Sequence, residues 1–585
     1  MKEKNVKYPN LKTLRIFYKE HRVKIFLFIL FTIISGVLVL AAPFVISRLL
    51  IELTGGDPYD EMIRLSVILF GLVAAAAGTA MIADYYYTVA TNDIFIKIRK
   101  RTAYSTMSMN LSTVYDKGSG FFLERLNEDS REACTVHLNI WKAVIGLIIN
   151  LTFVSYITVL NVLLGLLFAA GLVLLLFLEY LRVSHLLENM KRSKRANEKI
   201  KTNEVEILKG IKEIKGLNAK DPVIEKHTSI SSFYTNIKYE REIYQKKMQN
   251  LIDTVKGGID LSILLFAGLY LLPHMMIELA AVLVIYMYKG QIYGFIAGLA
   301  RIKDTYVNGE LAAKRINDIV MAPKRETDTF GDISLSGKID TIEFSDVSFQ
   351  YVKDKKILNN VNFRIEGNGI TGFVGASGSG KSTIFSLLAK FYDPSNGSIT
   401  VNGTEISKLR EEDVRGNITP VLQDPYIFND TIMNNLLFAC PNANIEDIKN
   451  ACRKARIHDE IEAMENGYDT VIGESGATIS GGQKQRLEIA RILLKDSDVM
   501  LFDEATSALD RTNLEHINNL LIELSKTKMI LVIAHRLNIM RRCDRVVVLK
   551  DGNVVAMAPH EELMTSCEYY QELFRRGTAA ETKQE

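Results

Sequence analysis

The chain has 585 residues, of which 48% are hydrophobic, and its formal net charge is +3. This length allows at least two domains. A charge so close to neutral argues against nucleic acid, which we exclude as a partner. Apolar residues form long runs up to about Arg301 and short patches beyond about Pro323. The sequence therefore predicts a membrane domain followed by a soluble domain.

Five apolar stretches predict six membrane-spanning helices. They lie at residues 24–48, 65–83, 143–178 (two crossings), 261–272 and 279–300. The first has roughly 23 residues without a charge, which span about 35 Å as a helix and exceed a hydrocarbon core of about 30 Å. The third stretch is too long for one crossing, so we expect two helices joined near Asn161. Pro273 and His274 predict a tight turn between the last two spans.

Basic residues are distributed unevenly along this half of the chain. The presumed outer turns contain no Lys or Arg, whereas the amino-terminal segment and residues 97–131 and 182–247 are rich in both. The positive-inside rule places these segments, both termini and the soluble half in the cytoplasm. The two long inner segments are predicted to be helices that project beyond the bilayer. Their lysines, such as Lys209, Lys212 and Lys215, form either a solvated face near anionic lipid or a specific contact.

A few polar side chains fall inside or beside the predicted spans, where charges are costly. Asp253, Lys256 and Asp260 lie at i, i+3 and i+7, so alternating charges on one helical face can neutralise each other. Lys289, near the middle of the sixth span, either touches an anionic substrate or pairs with another helix. The tyrosines at 85–87 either offer aromatic surface to a ligand or form an interfacial belt. The sequence leaves both alternatives open.

The soluble half contains VGASGSGKST at residues 374–383, which fits the pattern G-x-x-x-x-G-K-[ST]. It lies between a strand-like run and a run with helical spacing, as a phosphate-binding loop requires. In such a loop, backbone amides and a helix N-terminus face phosphates, the lysine reaches the β- and γ-phosphates, and the serine binds Mg²⁺. The predicted ligands are Gly375, Ala376, Ser377, Gly378, Ser379, Gly380, Lys381, Ser382 and Thr383.

Two further motifs suit nucleotide hydrolysis. The apolar run VMLFDE ends in Asp503 and Glu504, which suit Mg²⁺ binding and proton abstraction from an attacking water. Before this run, Ser480, Gly481 and Gly482 precede an amphipathic helical pattern. Exposed amides at a helix start form an anion site. A plain capping loop has a similar pattern. The position of these three residues just before the acidic run favours the anion site.

With these motifs in this order, the chain resembles an ATP-binding cassette (ABC) transporter of the exporter type, a half-transporter with fused membrane and nucleotide-binding domains. ISGGQ resembles the family signature, with Ile479 in place of the usual leucine. The resemblance implies a Q-loop residue at Gln423 in VLQDPYIFNDTI and a switch histidine at His535 in LVIAHRL. It also implies that SALD, ending at Asp510, is the D-loop and that Tyr351 in VSFQY stacks on adenine.

The resemblance assigns roles to these residues, with ATP and Mg²⁺ as cofactors. The implied catalytic residues are Glu504, His535 and Gln423. Beyond the phosphate-binding loop, the implied nucleotide contacts are Tyr351, Ser480, Gly481, Gly482, Gln483 and Asp510. The implied Mg²⁺ ligands are Ser382, Gln423 and Asp503.

The implied fold is an all-α six-helix transmembrane domain followed by an α/β P-loop NTPase domain with a helical subdomain. The transmembrane domain, with two long cytoplasmic coupling loops, covers residues 1–322, and a linker covers 323–338. The nucleotide-binding domain covers 339–577, and 578–585 form a disordered tail. Short coupling helices near TVYDKGSG and GLNAKDP are expected to dock on nucleotide domains close to Gln423.

In this family the signature of one nucleotide domain covers the phosphate-binding loop of another, so a second half-transporter is an implied partner. A homodimer is the simplest form, and a heterodimer is the alternative. The expected function is ATP-driven export by alternating access, in a bacterial plasma membrane, of a cargo that the sequence does not identify among drugs, lipids and peptides. An ATP-gated channel or regulatory membrane ATPase without vectorial transport is the alternative function.

Overall fold

The computed structural model of the protein describes residues 9–55, 59–323, 326–352, 355–421, 425–473, 479–503, 511–533 and 537–582. The chain divides into two compact units. The first comprises Met1–Met107 and Gly118–Ala322, and the second comprises Ser108–Lys117 and Pro323–Glu585. The residues 108–117 thus group with the second unit and not with the helices that flank them in the chain.

Among the described residues, the regular structure of the first unit is helical. Its helices are α1 (Pro9–Lys19), α2 (Arg22–Gly55), α3 (Tyr59–Met107), α5 (Ser119–Glu124), α6 (Ser130–Leu160), α7 (Val162–Lys209), α8 (Ile211–Gly216), α9 (Lys220–Phe266) and α10 (Leu279–Val320), while α4 (Leu111–Lys117) belongs to the second unit. Single π-helical turns at Arg125–Asp129 and Ala267–Leu271 extend α5 and α9.

Among the described residues, six helices are long and apolar enough to cross a membrane. They are Arg22–Glu52, Tyr59–Met107, Ser119–Leu160, Val162–His185, Lys220–Leu271 and Leu279–Leu299. The predicted break in the third apolar stretch is confirmed, since α6 ends at Leu160 and Asn161 is extended at φ −156°. The Asn161 side chain accepts a hydrogen bond from the Leu164 amide at 3.1 Å and so caps α7.

The long inner segments continue the spans as unbroken helices. With 49 residues in α3, 48 in α7 and 47 in α9, each helix is more than twice the length of about 20 residues that a bilayer requires. Each therefore projects well beyond the apolar layer. The three lysines Lys209, Lys212 and Lys215 are exposed, as a solvated face requires.

Charges inside the spans are paired between helices as well as along them. Asp253 and Lys256 form an ion pair at 3.0 Å within α9. Asp260, however, contacts Lys289 of α10 at 2.6 Å and accepts a hydrogen bond from the Tyr293 hydroxyl at 2.9 Å. The expected neutralisation along α9 therefore holds for the first two residues only. Lys289 pairs with another helix, which is one of the two alternatives left open by the sequence.

The three tyrosines near the middle of α3 do not form one uniform surface. The Tyr87 hydroxyl donates to the Asn139 side chain of α6 at 2.8 Å, and the Tyr86 ring stacks on Phe31 of α2 with centroids 6.3 Å apart. Tyr85 is 63% exposed. Two of the three rings thus serve helix packing.

The described part of the second unit contains twelve strands in three sheets. The strands are β1 (Thr341–Val352), β2 (Lys355–Glu366), β3 (Gly369–Gly375), β4 (Asn396–Val401), β5 (Thr404–Glu405), β6 (Ile418–Val421), β7 (Asp430–Thr431), β8 (Val471–Ile472), β9 (Val499–Asp503), β10 (Met529–Ile533), β11 (Arg545–Lys550) and β12 (Asn553–Ala558). A six-stranded sheet has the order β12-β11-β3-β10-β9-β6, a four-stranded antiparallel sheet has the order β2-β1-β4-β5, and β7 pairs with β8. In the six-stranded sheet only β12 is antiparallel to its neighbour.

The described part of the second unit contains nine further α-helices. They are α11 (Lys381–Leu388), α12 (Glu411–Asn417), α13 (Ile432–Leu437), α14 (Ile445–Lys454), α15 (His458–Glu462), α16 (Gly481–Lys495), α17 (Arg511–Ser525), α18 (His560–Ser566) and α19 (Glu568–Thr582). This α/β domain after a six-span helical region confirms the predicted fold class.

The five parallel strands of the six-stranded sheet are largely buried on both faces, which explains their apolar runs. In β9, Val499 and Leu501 belong to the core shared with the four-stranded sheet. Met500 and Phe502 point to the opposite core, which contains α13, α14 and α16. This alternation follows from the two-residue period of a strand. Two cores therefore hold the central strands from both sides.

We expect the Asp260→Asn variant to be markedly less stable than the native protein. It leaves Lys289, whose side chain is 19% exposed, without its carboxylate. The cost lies between that of an exposed pair and that of a fully buried one, on the order of 2 kcal/mol. Thermal unfolding of the detergent-purified protein measures the effect. Asp260→Asn/Lys289→Met restores part of the loss, and Asp253→Asn, at a carboxylate that is 55% exposed, is the mild control. Equal melting temperatures for Asp253→Asn and Asp260→Asn would contradict the burial argument.

Candidate nucleotide-binding site

The predicted phosphate-binding loop lies at the edge of the six-stranded sheet where its parallel strands end. Strand β3 pairs in parallel with β10 on one side and β11 on the other, and it is buried up to its last residue, Gly375. Helix α11 begins six residues later at Lys381. In α/β sheets, ligands bind at this carboxyl edge because loops there connect strand ends to helix N-termini.

Glycines are required at two positions in this loop. Gly380, which precedes α11, has a φ of +101°, and a β-carbon there would lie 2.5 Å from Leu358 Cδ2. A β-carbon on Gly375 would lie 2.3 Å from the Leu549 carbonyl oxygen. The backbone angle at Gly380 favours glycine, and neither Gly380 nor Gly375 has space for a side chain. The loop therefore holds a tight curl against β11 and β2.

Lys381 folds back over the loop. Its Nζ donates hydrogen bonds to the carbonyl oxygens of Gly375 at 2.9 Å and Ala376 at 3.0 Å. The ammonium group thus lies against the concave backbone, where a phosphate oxygen of a nucleotide would compete for it. The Ala376 amide donates to the Tyr569 hydroxyl at 3.4 Å, a neighbour from α19 that sequence reasoning did not identify.

Two of the three predicted Mg²⁺ ligands, Ser382 and Asp503, meet in the structure. The Ser382 hydroxyl donates to Asp503 Oδ1 at 3.2 Å, although the two residues are separated by 121 positions. Strand β9 brings Asp503 there because its register with β10 places it opposite Ile533. A hydroxyl and a carboxylate are oxygen ligands that suit Mg²⁺.

Tyr351 lies beside the loop at the end of β1. It is 48% exposed, and its hydroxyl donates to the Thr383 hydroxyl at 3.3 Å. The ring packs edge-on against Tyr392, with centroids 5.1 Å apart, and burial raises the pKa of Tyr392. A cavity of about 430 Å³ adjoins both rings and is also lined by Ser112 and Tyr115 of α4.

The segment around α4 is joined to the second unit by backbone and charge contacts. The Asn110 amide donates to the Glu326 carbonyl at 3.1 Å, and the Asp328 amide donates to the Ser108 carbonyl at 3.0 Å. Lys117 forms an ion pair with Glu326 at 2.6 Å. Docking close to Gln423 remains a prediction, since Gln423 lies outside the described residues.

The SGGQ motif begins α16 through a capping box. The Ser480 hydroxyl accepts from the Gln483 amide at 3.2 Å, while the Gln483 side chain accepts from the Ser480 amide at 2.8 Å. Gln483 also donates to Glu460 at 2.8 Å. Ile479 packs against the core, as a leucine would.

Sequence reasoning missed Arg491, which links the helical segments around the site. The side chain of Arg491 is 8% exposed. It donates to the carbonyl oxygens of Asn435 at 2.8 Å and Tyr426 at 2.9 Å and contacts Glu488 at 2.9 Å. The signal in the sequence was a basic residue on the apolar face of α16, four positions after Leu487. Arg491 is a positioning residue that ties the chain beyond Gln423 to the signature helix.

The structure therefore brings together Tyr351, the loop at residues 375–383, and Asp503, and it places the SGGQ residues at the start of α16. Four predicted site residues lie outside the described residues: Gln423, Glu504, Asp510 and His535. The strands before three of them, β6, β9 and β10, are adjacent and parallel.

Comparison with known families agrees with this arrangement. The family model described as ABC transporter matches residues 358–507, and the model described as ABC transporter transmembrane region matches residues 25–294. The chain belongs to the ABC transporter family. Because both regions occur in one chain with six spans, it has the layout of an exporter-type half-transporter. The nucleotide-binding domain of this family binds ATP.

Similar proteins cover different shares of this ABC transporter. The ATP-dependent lipid A-core flippase of Escherichia coli (strain K12) is 28% identical over 533 residues, which are 89% of this chain and 90% of that protein. P-glycoprotein 14 of Caenorhabditis elegans is 44% identical over 212 residues, 36% of this chain. The matches to three curated relatives span only 16%, 30% and 39% of their lengths. The solved structure of a bacterial Atm1-family ABC exporter with ATP bound has a TM-score of 0.82 at 22% identity and covers 95% of this chain and 99% of that one.

We expect the Gly380→Ala variant to bind ATP at least about tenfold more weakly. A side chain at a φ of +101° and 2.5 Å from Leu358 strains the loop by about 1–3 kcal/mol. Titration with a fluorescent ATP analogue measures the affinity. Gly416→Ala, at a site where a β-carbon meets nothing within 4 Å, is the matched control. Native affinity in Gly380→Ala would show that the loop conformation does not depend on this glycine.

Proposed function

We propose that this protein is an ATP-driven exporter that acts as a dimer by alternating access. The observation that carries the proposal is the contact of Ser382 with Asp503 below the phosphate-binding loop, in a chain with six apolar helices. A soluble ATPase does not need the spans, and a channel does not need a hydrolytic site. Both in one chain support coupling of hydrolysis to movement across a bilayer.

The proposed site holds ATP through residues of three elements. Tyr351 stacks on adenine, which contributes about 1 kcal/mol. The loop amides at residues 375–383 face the phosphates, and Lys381 exchanges its two carbonyl partners for β- and γ-phosphate oxygens. Ser382, Asp503 and Gln423 would hold Mg²⁺, which when bound neutralises charge on the phosphates.

Hydrolysis in this proposal depends on residues that follow the parallel strands. A water attacks the γ-phosphorus and its proton passes to the Glu504 carboxylate. The bond from that phosphorus to the β,γ-bridging oxygen breaks, so ADP and phosphate leave. His535 donates a hydrogen bond to the γ-phosphate, and Asp510 belongs to the D-loop that contacts the neighbouring site.

A complete site in this proposal needs two chains. Ser480 and Gly481 are exposed at the start of α16, where helix N-terminal amides attract an anion. We infer that they bind the γ-phosphate of ATP held by a second copy. Shifting the equilibrium between open and closed dimers from 1:99 to 99:1 needs about 5.5 kcal/mol of differential binding free energy. Two or three charge-assisted hydrogen bonds of about 1.5–3 kcal/mol each, summed over the two nucleotides of the dimer, reach this value. A homodimer is the proposed form, with a heterodimer as the alternative.

The cytoplasm is the proposed location of both termini and of the nucleotide-binding domain, in a bacterial plasma membrane. The absence of Lys and Arg from the outer turns supports this orientation. The similarity to the Escherichia coli flippase extends over nearly the full length of both proteins. This similarity favours a lipid among the three cargo classes. Closure of the dimer would reach the spans through α4, whose contacts adjoin the Tyr351 cavity.

We expect Glu504→Gln to bind ATP but to lose turnover by at least about 100-fold, because general-base catalysis contributes about 10²–10⁴-fold. ATPase activity measures hydrolysis, and the flux of a fluorescent lipid in proteoliposomes measures the transport that is coupled to it. Glu523→Gln, at a helical surface residue of α17, is the control. Normal ATPase activity in Glu504→Gln would remove Glu504 from its role, and native ATPase activity without flux would favour the channel or regulator.

A mixture of two inactive variants tests the shared site. Lys381→Ala disables the phosphate-binding loop and Ser480→Arg disables the signature, so each homodimer should fail to occlude ATP. In a mixed dimer, the intact loop of one chain meets the intact signature of the other, and one working site forms. We expect nucleotide occlusion to return after co-expression. If Ser480→Arg alone occludes ATP at the native level, the site is contained in one chain.

A further inference from the structure

A cavity of about 590 Å³ lies in the first unit. Helix α1, the start of α2, the first half of α6 and one residue of α10 enclose it. The residues that matter for its chemistry are Arg15, Lys19, Arg22, His137, Trp141 and Tyr306.

The cavity lies at one end of the membrane-spanning helices. Arg22 precedes the first apolar run, Trp141 precedes the run that starts at residue 143, and Tyr306 follows the sixth span, which ends at Leu299. The first and third spans cross in the same direction and the sixth crosses in the opposite one. The three residues therefore share the end that the proposed orientation places at the cytoplasmic headgroup layer.

Three cations line the cavity. Arg15, Lys19 and Arg22 are exposed, and none of the ion pairs among the described residues involves them. Two neighbouring lysines differ in this respect, since Lys24 pairs with Asp93 and Lys97 pairs with Glu20. Three cations that have no ion-pair partner in the described part of the chain attract an anionic headgroup at a membrane interface.

Helix α1 is fixed in place, so these cations are positioned before a ligand arrives. At its beginning, the Glu310 carboxylate of α10 accepts from the Asn10 amide at 3.2 Å and the Leu11 amide at 3.1 Å. At its end, the buried Tyr18 hydroxyl donates to the Ala133 carbonyl of α6 at 2.8 Å. Leu14 is buried between these anchors. Preorganised groups lose less entropy when they bind.

His137 also lines the cavity, where its ring packs against the Tyr18 ring with centroids 4.3 Å apart. One further side chain suits an anionic amphiphile. Trp141 is 48% exposed and belongs to a residue type that is enriched at membrane interfaces.

We propose that this cavity binds an anionic phospholipid of the cytoplasmic leaflet. Arg15, Lys19 and Arg22 contact the phosphate, and Trp141 and Tyr306 contact the glycerol region and the start of the acyl chains. The site goes beyond the proposed function, because it needs neither ATP nor a transported cargo. It rests on the proposed orientation only for the choice of leaflet.

The chain provides its own probe, since Trp141 is its single tryptophan. The protein is placed in nanodiscs of phosphatidylcholine with a one-tenth share of phosphatidylglycerol. In one preparation the phosphatidylglycerol carries bromine. In the other, one-tenth of the phosphatidylcholine carries the same amount of bromine. We expect brominated phosphatidylglycerol to quench Trp141 more strongly, with a preference on the order of tenfold. Equal quenching by the two lipids, or none by either, overturns the proposal.

Variants test the residues and the source of the phosphate. Arg15→Gln/Lys19→Gln/Arg22→Gln should remove the preference, whereas Lys209→Gln/Lys212→Gln/Lys215→Gln, which removes three exposed charges elsewhere, should keep it. Thermal unfolding shows whether each triple variant is folded, and the single variants replace any that is not. If the control loses the preference equally, the effect is general charge. If millimolar glycerol phosphate abolishes it in the native protein, the site takes soluble anions, and the lipid proposal is wrong.

Discussion

The parallel pairing of β3, β10 and β9 is the constraint on which the nucleotide site depends. It ends the phosphate-binding strand and the acidic strand at one edge, so that Ser382 lies 3.2 Å from Asp503. A slip of β9 by one residue would move Asp503 by about 3.3 Å and exchange its two buried faces. Because separate cores pack on each face, such a slip is strongly disfavoured. Packing of the two cores therefore sets the separation of Ser382 and Asp503, the proposed Mg²⁺ ligands.

Sequence patterns predicted the features that depend on local chemistry. The six spans follow from the length of uncharged runs, and the break at Asn161 follows from a run too long for one crossing. The loop at residues 375–383 follows from glycines whose backbone angle and lack of space are visible in the structure. In each case the physical requirement falls within a few neighbouring residues, so one sequence suffices to find it.

Other features depend on which elements meet, and the sequence could not supply them. The spacing of Asp253, Lys256 and Asp260 showed that they share a face of α9, but not that α10 presents Lys289 to the last of them. Arg491 was unremarkable until its carbonyl partners 56 and 65 positions away were known. The grouping of α4 with the second unit likewise arises from contacts with residues beyond position 322.

The connection between α6 and α7 limits how the helical region can deform. A single residue, Asn161, separates the last residue of α6 from the first residue of α7, and consecutive Cα atoms are about 3.8 Å apart. The joined ends of these helices can therefore never separate by more than about 8 Å. Because these two ends stay together, any opening at that end of the bundle has to form between other pairs of helices.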